Sequence, residues 1–335
     1  MEPLLIIPFI VSLATAYFLI PWWIKAAHHI DLVGKDMNKY EKPPVAEMGG
    51  IAVVSAFVAG VLAYIGLSTF YFHQSSFLIY LLAALSTVLI ITIIGMLDDL
   101  LGWKMGLKQW QKPLLTLVAA LPMMVVNAGQ SGMVLPFIGG VNLGLLYPLF
   151  VIPLGIAGAA NGFNMLAGYN GLEAGMGIII LSTLGIAAFI AKASWVAMLA
   201  FIMVFALIAF LRYNWFPARI FPGDTLTYSV GALIAVVAIL GNIEKLAVVL
   251  FIPYFLDFIL PIRSKFKTEA FALPNHDNSL EMPYGENIRG IYDTTHLGLY
   301  LLKKIKNKVY EKDIVLLIIG LEFFIAILGY WVVQG

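Results

Sequence analysis

The sequence predicts an all-α fold: a polytopic membrane bundle of about ten transmembrane helices, forming one integral domain over residues 1–335. Three observations lead there. The chain is 61% hydrophobic and 12% charged, with a mean hydropathy of +0.93, the balance of a protein whose helices face hydrocarbon. Apolar runs of roughly 17–25 residues, the length that a bilayer requires, recur along its whole length. Its basic residues gather in alternate loops, as they do in membrane proteins of fixed orientation. A net charge of +1 offers no footprint for nucleic acid, and the absence of cysteine excludes a disulfide framework or a thiolate site.

The first run, 3–24, lacks a basic leading segment and exceeds a signal-peptide core, so it reads as a retained span. The others lie at 48–68, 77–97, 113–128, 145–163, 173–191, 195–212, 224–241, 245–262 and 313–333, the fourth being the shortest. The glycine-rich segment 129–144, with its apolar patch from Met133 to Ile138, predicts a small hairpin. Residues 263–312 form the longest connection. Its stretch from Thr295 to Lys312 has the pattern of a basic amphipathic helix on the membrane surface, its lysines acting as lipid anchors. Of the 20 lysines and arginines, only Lys192 and Lys245 fall in loops of the opposite parity. That asymmetry puts the basic loops in the cytoplasm and both termini outside. All seven tryptophans, Trp103 among them, lie near span ends, as an aromatic belt would.

The chemistry gathers on that cytoplasmic side. Asn161 to Gly175 reads NGFNMLAGYNGLEAG and joins two apolar runs. Asn-Gly is an ordinary turn signal, but a simple turn needs one such pair, and here Asn161, Asn164 and Asn170 alternate with three glycines. Amides beside a spanning helix usually line a cavity or a site, and Asn161 and Asn164 would share a helix face. Asp98 and Asp99 close the third span, where the helix dipole disfavours carboxylates; with Lys112 downstream they read as a site that receives cations. Adjacent helical positions point about 100° apart, so the two carboxylates have different partners. Asp224, after Pro222-Gly223, is a natural helix N-cap and also an oxygen ligand of the kind Mg²⁺ takes beside substrate phosphate. Lys112 serves either as an orientation-setting lysine or as a phosphate contact. His276 is a lone histidine in the long loop and a candidate for catalysis or phosphate binding.

The ordered set GMLDDLLG, Lys112-Pro113, NGFNMLAGYNGLEAG and FPGDT resembles the polyprenyl-phosphate N-acetylhexosamine-1-phosphate transferases. The likeness extends over essentially the whole chain. Within them, NMLAGYNGLEAG and LEMPYG resemble the dolichyl-phosphate GlcNAc-1-phosphotransferase branch of archaea and eukaryotes, and the short chain looks archaeal. The resemblance implies Mg²⁺-dependent transfer of sugar 1-phosphate, with Mn²⁺ as a substitute, from a UDP-N-acetylhexosamine to polyprenyl or dolichyl phosphate, releasing UMP. Asp224 and Asn164 would hold the metal. Asp98 and Asp99 would organise the acceptor phosphate and Lys112. Glu47, Gly168, Asn170 and Phe221 would hold the uridine, with Asn161 a further substrate-binding residue, Trp110 at the lipid entrance and His276 at the diphosphate or sugar. Membrane lipids and a second copy in a homodimer complete the expected partners.

One departure matters. The eukaryotic branch carries Arg-His-Arg where this chain reads Asn275-His276-Asp277, so two guanidinium contacts are missing, and either Arg263 or Arg289 substitutes or donor affinity rests elsewhere. Two other readings compete: a bacterial-type undecaprenyl-phosphate transferase, and a lipid-linked-sugar transporter, which would carry its polar groups at mid-membrane depth.

Overall fold

The computed structural model describes residues 3–105, 108, 110–135 and 139–334, without the side chains of 103–105, 133–135 and 332–334. The Trp103 and Lys104 side chains and the apolar patch of 133–138 therefore lie outside the described residues.

Among the described residues, eight helices are long and apolar enough to cross a bilayer. They are α1 (Ile7–His29), α2 (Gly50–Gly66), α3 (Leu78–Met105), α6 (Ile152–Met165), α7 (Leu172–Ile190), α8 (Ser194–Asn214), α9 (Gly223–Gly241) and α13 (Glu311–Gln334). A ninth is made by α10 (Glu244–Leu250) and α11 (Ile252–Ile259) if the pair, bent by 52°, is taken as one span. The bend falls at Phe251, and Pro253 opens the second half, a position where the missing N–H costs nothing. The remaining sequence-drawn run, 113–128, is two short helices, α4 (Gln111–Val118) and α5 (Leu121–Val125), separated at Ala119–Ala120. Neither is long enough to cross a bilayer, so the described residues give eight spans, or nine with the bent pair.

Short ribbons supplement the helices. The strand β1 (Val33–Lys35) pairs antiparallel with β2 (Pro44–Ala46), and β5 (Leu273–Pro274) with β6 (Leu280–Glu281). The expected hairpin in 129–144 forms as β3 (Gly132–Leu135) against β4 (Gly139–Asn142). In the long connection the helix α12 covers only Thr294–Lys303, started by the carboxylate of Asp293 on the Thr295 N–H at 2.8 Å. Two of the lysines after it make ion pairs, Lys306 with Asp313 at 2.8 Å and Lys308 with Asp277 at 2.6 Å.

Helix α9 is the axis of the bundle. In its most apolar stretch 89% of residues are buried, against 22% for α1, which faces outward. Three glycines explain how so many neighbours reach it. A Cβ on Gly231 would meet the Ala159 carbonyl at 2.5 Å, one on Gly50 the Leu226 nitrogen at 2.3 Å, and one on Gly95 the Asp224 carbonyl at 2.6 Å. Thus α2, α3 and α6 touch α9 backbone to backbone, the packing that small residues allow between membrane helices. The end of α3 is thereby fixed against the start of α9.

Candidate active site

At that junction the adjacent aspartates divide their work. Asp99 turns toward α9, where Oδ1 accepts the Asp224 N–H at 2.8 Å and Oδ2 accepts the Thr225 N–H at 2.9 Å and its hydroxyl at 2.5 Å. A carboxylate from one helix thus caps the positive end of another. Gly223 makes this approach feasible: its φ is 71°, and a Cβ there would stand 2.5 Å from Asp99 Oδ2. Asp98 turns the other way, to Lys112 Nζ at 2.6 Å. Because Asp99 supplies the cap, Asp224 is released from that role, and its Oδ2 accepts from Lys112 Nζ at 3.0 Å. Burial acts to lower the Lys112 pKa, but Asp224 and the other anionic neighbours outweigh it, so the ammonium is held above its ordinary value.

The asparagine segment meets this cluster from the side. Asn164 Oδ1 accepts the Thr227 hydroxyl at 2.6 Å, which sets the amide one turn from Asp224. Asn161 donates to Thr116 Oγ1 at 2.8 Å, and Thr116 donates back to the Lys112 carbonyl at 3.0 Å, so α6 holds the helix that carries Lys112. Gly168, at φ 99°, donates its N–H to Glu173 at 2.7 Å. Asn170 is buried. Its backbone N–H donates to Glu311 at 2.7 Å and its amide to Asp36 at 3.0 Å. Lys39 bridges the same two carboxylates. Asn170 therefore ties the β1–β2 loop and α13 to the wall.

Two cavities result. A polar cleft of roughly 320 Å³ is lined by Glu47, Asn164, Gly168, Asn170, Phe221 and Asp224, with Lys35, Glu173 and Thr227 among its further walls; that size suits a small-molecule ligand. Glu47 is half-buried there, and burial, then the charge of Asp99, raises its pKa above the usual value. The second is an apolar groove of roughly 800 Å³, lined by Lys112, Asn161 and Asn164 together with an aromatic wall from Phe251, Tyr254, Phe255 and Phe258. Asn164 lines both, and the Lys112–Asp224 bond joins them. These groups gather where α3 and α6 end and α9 begins, at one end of the bundle rather than half-way along it.

Four expected residues lie elsewhere. The ring of His276 is 4.0 Å from that of Tyr40, in a third cavity which shares Asp36 with the polar cleft. Arg263 donates to the Ile291 carbonyl and lies over the Tyr292 ring at 5.1 Å, so it pins the long connection to itself. Arg289 is exposed; neither arginine lines the polar cleft. Trp110, 62% exposed, stands just before α4. Arg289→Ala is accordingly expected to leave the donor KM within about twofold, whereas Arg263→Ala lowers the melting temperature. Donor titrations at saturating lipid acceptor, with a thermal melt beside them, check both.

Some residues of the site carry no signal as isolated letters. Thr227 and Tyr228 lie inside an apolar run and become polar contacts only when α9 is built. The aromatic wall was legible in principle: Phe251, Tyr254, Phe255 and Phe258 fall at i, i+3, i+4 and i+7 and share one helical face. Glu173 lies within the quoted NGLEAG and supports Gly168 from beneath.

The donor set can be tested against a divalent cation. Among the described residues no three His, Cys, Asp or Glu side chains form a metal cage. One half-open carboxylate and one amide, Asp224 and Asn164, share the cleft. That set fits Mg²⁺, which takes one or two protein carboxylates and completes its shell from water and phosphate.

Residues 80–242 match glycosyl transferase family 4. A Dictyostelium discoideum protein named UDP-N-acetylglucosamine–dolichyl-phosphate N-acetylglucosaminephosphotransferase is 31% identical, over 75% of this chain and 69% of its own length. A Saccharolobus solfataricus protein, provisionally given that same name, is 32% identical over 97% and 95%. The phospho-N-acetylmuramoyl-pentapeptide-transferase of Streptococcus thermophilus is 35% identical over 52% of each chain. With its α3–α9 junction inside the matched region, the chain belongs to glycosyl transferase family 4, on the branch shared by these archaeal and eukaryotic relatives.

Proposed function

We propose that the protein transfers N-acetylglucosamine 1-phosphate from UDP-N-acetylglucosamine to a polyprenyl phosphate of the dolichyl type, releasing UMP and making the first lipid-linked intermediate of N-glycosylation. The observation that carries this reading is the meeting of a polar cleft and an apolar groove at Asn164 and the Lys112–Asp224 pair. A water-soluble nucleotide sugar and a lipid phosphate need such a pair of chambers with one shared wall.

An oxygen of the lipid phosphate attacks the donor phosphorus that bears the sugar. The bond between that phosphorus and the bridging oxygen breaks, and the leaving oxygen departs on UMP. A phosphate monoester has its second pKa near ~6, so the acceptor is already ionised at neutral pH and no strong base is required. What the protein supplies is position and charge. Lys112, oriented by Asp98, faces the negative charge shared by acceptor and donor. Asp99 holds the start of α9 so that Asp224 projects into the cleft beside Asn164. Asp224 and Asn164 would hold a bound Mg²⁺, which would supply charge neutralisation for the diphosphate.

Purified protein given UDP-N-acetylglucosamine, dolichyl phosphate and Mg²⁺ should release UMP, stop with EDTA and recover with Mg²⁺ or Mn²⁺. No UMP release under any of these conditions would sink the reading.

The basic asymmetry of the sequence supports a cytoplasmic site in the cell membrane, with both termini outside. Because the chain has no cysteine, single introduced thiols report sidedness without background. Lys267→Cys should react with an impermeant maleimide only from the cytoplasmic side. Gly140→Cys, in β4 with open space around its Cβ position, should react only from outside. The reverse pattern would invert the topology.

A further inference from the structure

Tyr228 lies four residues after Asp224 on α9, so the two side chains share one helical face. Its ring lines the apolar groove with Lys112, Asn161 and Asn164. The side chain is fully buried. Its oxygen faces the Lys112 ammonium, a side-chain hydrogen-bond partner, with Asp224 and Asp98 as further charged neighbours. Its O–H proton finds no acceptor of ordinary geometry among the described residues. A lysine can only donate, so that contact leaves the proton unused, and a buried donor ordinarily has an acceptor.

We propose that the Tyr228 hydroxyl donates a hydrogen bond to a non-attacking oxygen of the lipid phosphate, so that Tyr228 and Lys112 together orient the acceptor. The inference rests on the function proposed above and names a residue of the acceptor half of that site. The apolar groove takes the lipid chain, and its phosphate reaches Lys112. There the tyrosine is a directional donor, whereas the lysine is a point charge. No bond to Tyr228 forms or breaks, and its O–H proton stays in place through the transfer. The group that fits is a phosphate monoester on a long hydrocarbon. An uncharged alcohol of the same length would gain the groove but offers the hydroxyl only a neutral oxygen, a weaker acceptor than a charged phosphate.

The test uses Tyr228→Phe in the full-length protein, which removes one oxygen and keeps the ring. A hydrogen bond to a charged phosphate is strong enough that its loss should raise the KM for dolichyl phosphate about tenfold or more. The KM for UDP-N-acetylglucosamine should not move. An unchanged acceptor KM, or a donor KM rising in the same proportion, overturns the proposal. A second measurement needs no turnover. Decyl phosphate should raise the melting temperature of the wild type more than that of Tyr228→Phe, and decanol should distinguish the two much less. Equal stabilisation by decyl phosphate refutes the role of the hydroxyl. A wild type that binds decyl phosphate through Tyr228 but releases no UMP would refute only the function proposed above.

Discussion

Asp224→Asn should lower turnover by roughly 10³-fold, the scale on which preorganised charge acts in transfer reactions, while the melting temperature stays near that of the wild type. The substitution keeps the shape of the side chain and removes its charge. Helix α9 does not depend on that charge for its start, because Asp99 already accepts the N–H groups of Asp224 and Thr225. What is lost is the carboxylate that faces Lys112 and the cleft. UMP release and a thermal melt on the same preparation separate the two effects. Turnover within tenfold of wild type would remove Asp224 from the machinery.

The adjacent aspartates should fail in different ways. Asp98→Asn removes one partner of Lys112 and is expected to cost roughly 10²-fold in turnover with little change in stability. Asp99→Asn puts an NH₂ group where one of two oxygens receives donors from α9. Losing a helix cap costs about 0.5–2 kcal/mol, so this variant should melt earlier and lose activity chiefly as its fold fails. Raising the pH should rescue neither, because Lys112 is held cationic above its ordinary range and no step waits for a base. An Asp99→Asn protein that melts like wild type would refute the cap. Recovery of Asp98→Asn at high pH would point to a proton acceptor instead.

The spans were legible because hydrocarbon demands long, nearly uncharged runs, and such runs need no partner to be recognised. The asparagines and aspartates stood out for the converse reason, as polar groups beside those runs. Their division of labour was not readable. Asp99 and Asp224 lie 125 residues apart, and only the packed helices reveal that one caps the other's helix and frees it. The arginines misled because reach is a property of the folded loop: Arg263 is spent on the carbonyl of Ile291. The fourth span broke at Ala119–Ala120, where an apolar run is compatible with either a straight or an interrupted helix. The lysines after Lys303 looked like lipid anchors from charge alone, but two of them find carboxylates at Asp277 and Asp313.

The glycine contacts along α9 also determine how the molecule can move. Closely nested backbones cannot slide, because a shift of α3 along α9 would drive side-chain-bearing residues into the space that Gly95 keeps open against the Asp224 carbonyl. Shear, one of the two common modes of domain motion, is therefore closed to the core, and Gly50 and Gly231 lock α2 and α6 to it in the same way. The three aspartates and Lys112 behave as a fixed anvil. Admission and release of ligands must come from hinge motion in the pieces that lie across it, the β1–β2 loop and the segment before α12. The first of these is clipped to the wall by the Lys39–Glu311 ion pair and by the Asn170 backbone N–H on Glu311.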